Sequence, residues 1–397
     1  MPSNIVLTDL RLATMIATAD DPYGLIENAT IEIVNGAFTF IGSQENFDGD
    51  ISQAITMDGR LALPGLVCCH NQVCWAPGDN PAKSQTGSDY LNLTQSVGQA
   101  TSSADDELLL ALMRTRLNKL ARSGVTGFEL KSGFGLMPDD ELRLSLLCRK
   151  LQAEIQSFAR VTLYVGHFID EARDPDAYLV DIEKNLVPKT YEKNACDVIE
   201  VFCDDDGGLD LDQASTILEL YYRNKMPTRV SCDRFADSAG ATLPASFYSQ
   251  AATYLCQSDD MGVESIATVG TVMVLVPDIT SRDADSKIPL VEKMRAVNGK
   301  IAISTNAGPD GTGELDLISS ARLGVERYGL TPVEALQAIT IHAATALGVI
   351  NQIGAVSEGR RGDLAIFDAS TPENILLERA HTCSAIVRAG KLSNFFD

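Results

Sequence analysis

LPGLVCCHNQ, residues 63–72, is where the chain changes style. Before Pro64 the sequence reads as short strands joined by tight turns. In ATIEIVNGAFTFIG (29–42), Ile31 and Ile33, then Phe38 and Phe40, alternate about Asn35-Gly36, a dipeptide that tolerates positive φ and predicts a two-residue hairpin turn. AITMDGRLALPGL (54–66) predicts a second hairpin of the same kind at Asp58-Gly59.

From Gly65 onward, apolar runs of strand length alternate with amphipathic stretches. The candidate strands are GLVCCHN (65–71), VTGFELK (125–131), RVTLYVGH (160–167), DVIEVFC (197–203), TRVSCD (228–233), AATYLC (251–256), TVMVLV (271–276) and IAISTN (301–306). Between the first two, Leu109, Leu112, Met113, Leu117 and Leu120 share one helical face, and Gly124 stops the helix. Thr331-Pro332-Val333-Glu334 is a helix start with Pro at the first position and a capping-box glutamate. Eight strands alternating with helices predict an α/β fold, a (β/α)8 TIM-like barrel. The alternative, a doubly wound sheet, lacks its Gly-rich phosphate loop. After about residue 350 the short-strand style returns. The simplest organisation is a small β-sandwich module built from residues 1–64 and 346–397, with the barrel, 65–345, inserted between.

The net charge of −22 argues against nucleic acid or an anionic membrane as a partner. The nine cysteines include no CxxC pair, which predicts reduced, mostly buried thiols and a cytoplasmic protein. The N-terminus shows no signal-peptide pattern, and no run of about 18 apolar residues predicts a membrane span.

In a barrel of this type, chemistry sits where the strands end. The polar residues at those ends are His70 and Gln72, Glu129 and Lys131, His167, Ser231 and Asp233, Tyr254, and Asn306. A single one could merely cap its own strand. Together they predict a site, since buried polar groups must satisfy one another.

At these positions the chain resembles the amidohydrolase superfamily, and most closely its imidazolonepropionases. LPGLVCCHNQ resembles the family's first strand, which carries two histidines in an H-x-H pair. GVTGFELKSGFGL (124–136) is similar to a segment ending KSGYGL. LYVGHF (163–168), VSCDRFADSAG (230–240), ISTNAGP (303–309) and GRRGDLAIFD (359–368) resemble further family stretches, so the likeness spans nearly the whole chain. It implies hydrolysis of a C–N bond in a cyclic amide, a zinc or iron ion, and a homodimer. The family holds its metal with two first-strand histidines, one histidine after the fifth strand and one aspartate after the eighth. Here those positions are His70, Gln72, Ser231 and Asn306. One imidazole with three neutral groups is a weak set for such an ion, and Asn306 cannot accept a proton at neutral pH. No metal cofactor is therefore expected. Cys69 and Cys232 are predicted out of phase with the pocket, and Cys74 could turn either way.

The family's substrate-binding positions have changed too. A histidine is Tyr254, the KSGYGL tyrosine is Phe134, a glutamate or glutamine is Arg234, and a carboxylate-gripping arginine falls near Asp79. Lys131, Ser132, Gly133, His167 and Asp233 are retained. His167 and His70 are the candidate catalytic groups. Gln72, Lys131, Phe134, Ser231, Asp233, Arg234, Tyr254 and Asn306 are the candidate pocket residues. His342 and His381 receive no role. Three functions follow from this reading: a metal-free homologue that binds a small molecule in the barrel, an active hydrolase of histidine degradation, or a non-catalytic dimer subunit.

Overall fold

The computed structural model describes residues 4–78, 86–167, 169, 174–280, 282–283, 287–311, 315–379 and 382–394. Eight parallel strands form one sheet in sequential order. They are β1 (Leu66–Cys68), β2 (Val125–Lys131), β3 (Phe158–Tyr164), β4 (Val198–Cys203), β5 (Thr228–Cys232), β6 (Ala251–Tyr254), β7 (Val272–Leu275) and β8 (Ile301–Ile303). Every strand is buried apart from the start of β3, where Phe158 and Arg160 are half-buried. That explains why the runs read as continuously apolar rather than alternating. A parallel bridge between Asn71 and Asn306 joins the first strand's end to the last. The sheet thereby closes into the expected (β/α)8 barrel.

Helices separate the strands. Asp106–Ala121 buries Leu109, Met113, Leu117 and Leu120 against the barrel, the face expected from their spacing. Pro332–Ala338 begins with a full capping box between Thr331 and Glu334. Below the polar centre, Val67, Cys69, Val272, Val274 and Ala302 pack with Ala343, Leu347 and Ile353 as an apolar plug.

The strands of both chain ends belong to a second sheet. Its order is Lys391–Asn394, Cys383–Arg388, Leu364–Phe367, Leu61–Pro64, Asn4–Ala13, Leu25–Val34 and Ala37–Ser43. Asn35 and Gly36 have φ of 53° and 83°, as a two-residue hairpin turn requires. The second hairpin does not form. Ile55–Thr56 and Leu61–Pro64 each pair in parallel with Asn4–Ala13, one after the other, and not with each other. Asp58-Gly59 does adopt positive φ, but the Gly59 N–H donates to Asp9 instead of closing a ladder. A local turn signal sets the backbone there without choosing the strand partner. Chain continuity through Gly65 links the two sheets directly. A Cβ at Gly65 would come 2.0 Å from Thr126 Oγ1, so only glycine allows β1 to pass this close to β2.

Candidate functional site

Strand periodicity places Glu129 and Lys131 of β2, Glu200 of β4, and Arg229 and Ser231 of β5 inside the barrel. All five are buried. Lys131 Nζ lies 2.7 Å from Glu200 Oε2, 2.8 Å from His70 Nδ1 and 3.2 Å from Glu129 Oε2. Glu129 also accepts from the Arg229 guanidinium, from Thr162 Oγ1 at 2.5 Å and from the Asn71 backbone at 2.9 Å. Glu200 accepts from Ser231 Oγ at 2.6 Å. Burial pushes the Glu200 carboxyl upward, but Lys131 and Arg229 outweigh it and hold the group below its ordinary range. Two carboxylates face two cations, so the centre is balanced in charge.

Above this centre lies a belt of aromatic and amide groups. His70 is held by its own backbone, which exchanges 2.8 Å hydrogen bonds with Ser304 Oγ in both directions. Its ring stands edge-on to Tyr254, with centroids 5.5 Å apart. Tyr254 has φ of 77°, an outlier for a bulky residue, and its hydroxyl donates to Asn306 Oδ1 at 3.2 Å. Asn306 Nδ2 donates to Asp310 at 2.9 Å, and the Gln72 N–H donates to Asn306 O at 2.6 Å. Arg234 makes two 2.9 Å bonds to Asp283 and one of 2.8 Å to Asp310, and lies over the Tyr254 and Tyr90 rings.

His167 is enclosed on every side. Its Nδ1–H donates to Gly133 O at 2.6 Å, its Nε2 accepts from the Tyr90 hydroxyl, and its ring stacks on Tyr164 at 4.4 Å. Burial drives its pKa down to about 4. The imidazole is therefore neutral, with both nitrogens engaged, and can act as a base only after Tyr90 withdraws. Phe134 packs edge-on to the same ring. Gly133 itself, at φ 127°, passes so near Tyr164 that a Cβ would come 2.7 Å from Cδ1. Its N–H is fixed by the buried Glu141 carboxyl at 2.9 Å.

The structure thus gathers His70, Gln72, Glu129, Lys131, His167, Ser231, Arg234, Tyr254 and Asn306 about one barrel end, with Phe134 behind His167. Asp233 does not join them. Its left-handed φ of 52° turns the chain off the strand axis. Its carboxylate braces the following loop, accepting from Gly240 N at 3.0 Å and Ser258 Oγ at 2.6 Å. The position near Asp79 lies outside the described residues, as does His381. Glu200, Arg229, Tyr90, Asp283 and Asp310 are members of the site that the sequence reading did not name.

The ligand set implied by the family does not fit a divalent ion here. Ser231 donates to Glu200, and both ends of the Asn306 amide are engaged. The Lys131 N–H against His70 Nδ1 leaves the imidazole proton on Nε2, where a metal would bind. His70, Glu129 and Glu200 do bring three ligand atoms within 4.8 Å of one another. That space, however, holds the Lys131 ammonium. The cysteines do not rebuild a site. Cys74 turns outward toward Leu144, and burial raises the Cys232 thiol far above its ordinary pKa. Cys69 is a correction: it keeps the phase of Val67 and faces the apolar plug inside the barrel, and it is His70, beyond the end of β1 at Cys68, that departs from alternation. Burial pushes its thiol up to about 12.

Some polar atoms at this end have no partner among the described residues. They are His70 Nε2, both amide atoms of Gln72, Asn71 Oδ1 and the Tyr164 hydroxyl, all buried. Each such group costs about 1–3 kcal/mol unless water or a ligand satisfies it.

Comparison with known proteins accords with this architecture. Residues 259–395 match the model of the amidohydrolase family. The imidazolonepropionase of Idiomarina loihiensis is 30% identical over 374 residues, covering 91% of this chain and 90% of that one. The imidazolonepropionase of Maricaulis maris is 29% identical over 382 residues, 94% of each. Among solved structures, Helicobacter pylori aminofutalosine deaminase in complex with methylthio-coformycin superposes with a TM-score of 0.75 at 14% identity, covering 98% of this chain and all of that one. An adenosine deaminase from Xanthomonas campestris with bound zinc gives 0.72 at 15% identity, covering 98% and 92%. With the eight-stranded barrel and a relative at 30% identity along nine-tenths of both chains, this protein belongs to the amidohydrolase family, among the relatives of imidazolonepropionase.

Proposed function

We propose that this chain is an imidazolonepropionase-like protein that binds a small polar molecule at the barrel mouth without the metal-dependent ring opening its relatives' name denotes. The observation that carries this reading is the condition of the family's ligand positions. Ser231 and Asn306 are committed to other side chains, and Gln72 is an unpaired amide. A hydrolysis also needs an acceptor for the proton of the attacking water. Asn306 has no such capacity near neutral pH, and both His167 nitrogens are occupied. The unpaired buried polar atoms beside His70 support a ligand there. A homodimer is part of the same proposal, and sedimentation would test it.

One observation favours a second reading, an active hydrolase of a cyclic-amide C–N bond in histidine degradation. It is the His70–Glu129–Glu200 trio, which could take a metal if Lys131 withdrew. Elemental analysis of the purified chain, with a turnover assay on imidazolone-5-propionate, separates the two. We expect neither stoichiometric zinc or iron nor turnover. One ion per chain, together with ring opening lost in His70→Ala, would establish the hydrolase instead.

A further inference from the structure

Lys131 reaches His70 at Nδ1 and leaves the other ring nitrogen, Nε2, without a partner among the described residues. An ammonium has three hydrogens, and here it has three acceptors in reach: Glu200 at 2.7 Å, His70 Nδ1 at 2.8 Å and Glu129 at 3.2 Å. A proton on Nδ1 would point straight at an N–H of the lysine. Among the described residues, the other carboxylate oxygen paired with Nδ1 is Glu200 Oε1, which is 3.5 Å away and already receives Ser231. The neutral imidazole therefore carries its hydrogen on Nε2. That N–H is buried and has no acceptor among the described residues.

Gln72, two residues on, supplies a buried amide whose N–H2 and oxygen are both unpaired. Both residues border Asn306. Gln72 bonds to its backbone at 2.6 Å, and the Asn306 side-chain amide lies beside the His70 ring. The Asn306 amide bonds to Tyr254 and Asp310, and neither His70 Nε2 nor the Gln72 amide makes a hydrogen bond to it. The cations described here are matched as well: Lys131 and Arg229 with Glu129 and Glu200, and Arg234 with Asp283 and Asp310. What is offered at this spot is uncharged hydrogen-bond donation.

We propose that Lys131 fixes His70 as its Nε2–H tautomer, and that this N–H and the Gln72 amide together form a donor subsite for the carbonyl oxygen of an uncharged ligand. Hydrogen-bond donors there polarise a carbonyl, as a Lewis acid would. Lys131 is a positioning residue in this scheme and does not itself touch the ligand. The inference rests on the metal-free reading above and deepens it.

Long-range 1H–15N correlation of the four imidazoles tests it, with His70→Gln identifying the His70 signals. We expect the wild-type ring to show the Nε2–H pattern, and Lys131→Met to lose that fixed tautomer. Added 2-pyrrolidinone, a small neutral carbonyl probe, should shift the Nε2–H resonance. Tetrahydrofuran, a ring of similar size without a carbonyl, should not. Gln72→Leu should weaken the pyrrolidinone response at least tenfold. An Nδ1–H pattern in the wild type would overturn the proposal, as would no response to pyrrolidinone or an unchanged response in Gln72→Leu. These arms stand even if Lys131→Met does not fold. A metal ion found in the wild type by elemental analysis would remove the underlying reading. A metal-free chain with the wrong tautomer would remove only this inference.

Discussion

The two sides of the barrel interior obey opposite rules. Toward β2, β4 and β5, both oxygens of Glu129 and of Glu200 are bonded, and Lys131 spends all its hydrogens. Among the described residues, Arg229 Nε and the Tyr164 hydroxyl of the intervening β3 are the atoms without a partner on that side. Toward β1 and the loops after it, His70 Nε2, Asn71 Oδ1 and the Gln72 amide are buried and unsatisfied. A saturated network stabilises the fold and has no capacity left for chemistry. An unsaturated one weakens the fold and is free to bind. The difference separates residues that hold this barrel together from residues that do something with it, although all lie within a few ångströms of one another.

That contrast is most easily broken on the saturated side. Arg229→Met leaves Glu129 with a buried charge that Lys131 alone must balance, and should cost about 3–5 kcal/mol in urea unfolding. Glu129→Gln added to Arg229→Met should recover much of the loss, because the orphaned charge is gone. Additive losses would mean that the two side chains do not act as a pair.

Acid attacks the boundary between the two sides. The His167 pKa lies near 4 when folded and near 6.5 when unfolded, so the unfolded chain takes up the proton first as pH falls. Its contribution is complete above about 6.5 and is lost progressively toward 4, amounting to roughly 3 kcal/mol. His70 is depressed in the same direction by burial and by Lys131. Unfolding curves between pH 7 and 4.5 should therefore fall more steeply for the wild type than for His167→Gln. Parallel curves would show that His167 is not buried neutral.

The barrel was legible because each strand is a short apolar run and each helix keeps one apolar face. Those are local properties that the tertiary fold preserves. His70, Gln72, Ser231 and Asn306 were legible because strand ends point to one mouth and a family register fixes which residue occupies each end. Glu200 and Arg229 were overlooked although a signal was present: a lone charge inside an apolar strand, two residues from another inward position, must find a buried partner. Tyr90, Asp283 and Asp310 carried no such signal. They arrive from a helix and from loops whose paths depend on the assembled barrel. Asp233 and His70, and Cys69 with it, misled because alternation was extended past the end of a strand, where a left-handed residue or a broken ladder cancels it.

Also on the saturated side is Ser231, whose hydroxyl donates to Glu200 at 2.6 Å. Ser231→Ala should cost about 1.5–3 kcal/mol, the range for a hydrogen bond to a charged group. A variant with wild-type stability would mean that Glu200 finds water there and that the saturated side is wetter than its distances imply.

The smallest expected effect is the most telling. Gln72→Leu removes two buried polar atoms that have no partner and leaves the 2.6 Å backbone bond to Asn306 in place. Stability should stay level or rise by about 1 kcal/mol, because leucine is spared the cost of burying an unsatisfied amide. The same change on the saturated side would be ruinous, which is why its direction discriminates. Denaturant midpoints for Gln72→Leu and wild type, each with and without 2-pyrrolidinone, give the comparison in one experiment. A gain in stability with the probe response lost places Gln72 among residues kept for binding at the expense of the fold. A clear loss of stability would mean that the amide is satisfied in solution and that the line between the two sides must be redrawn on the far side of β1.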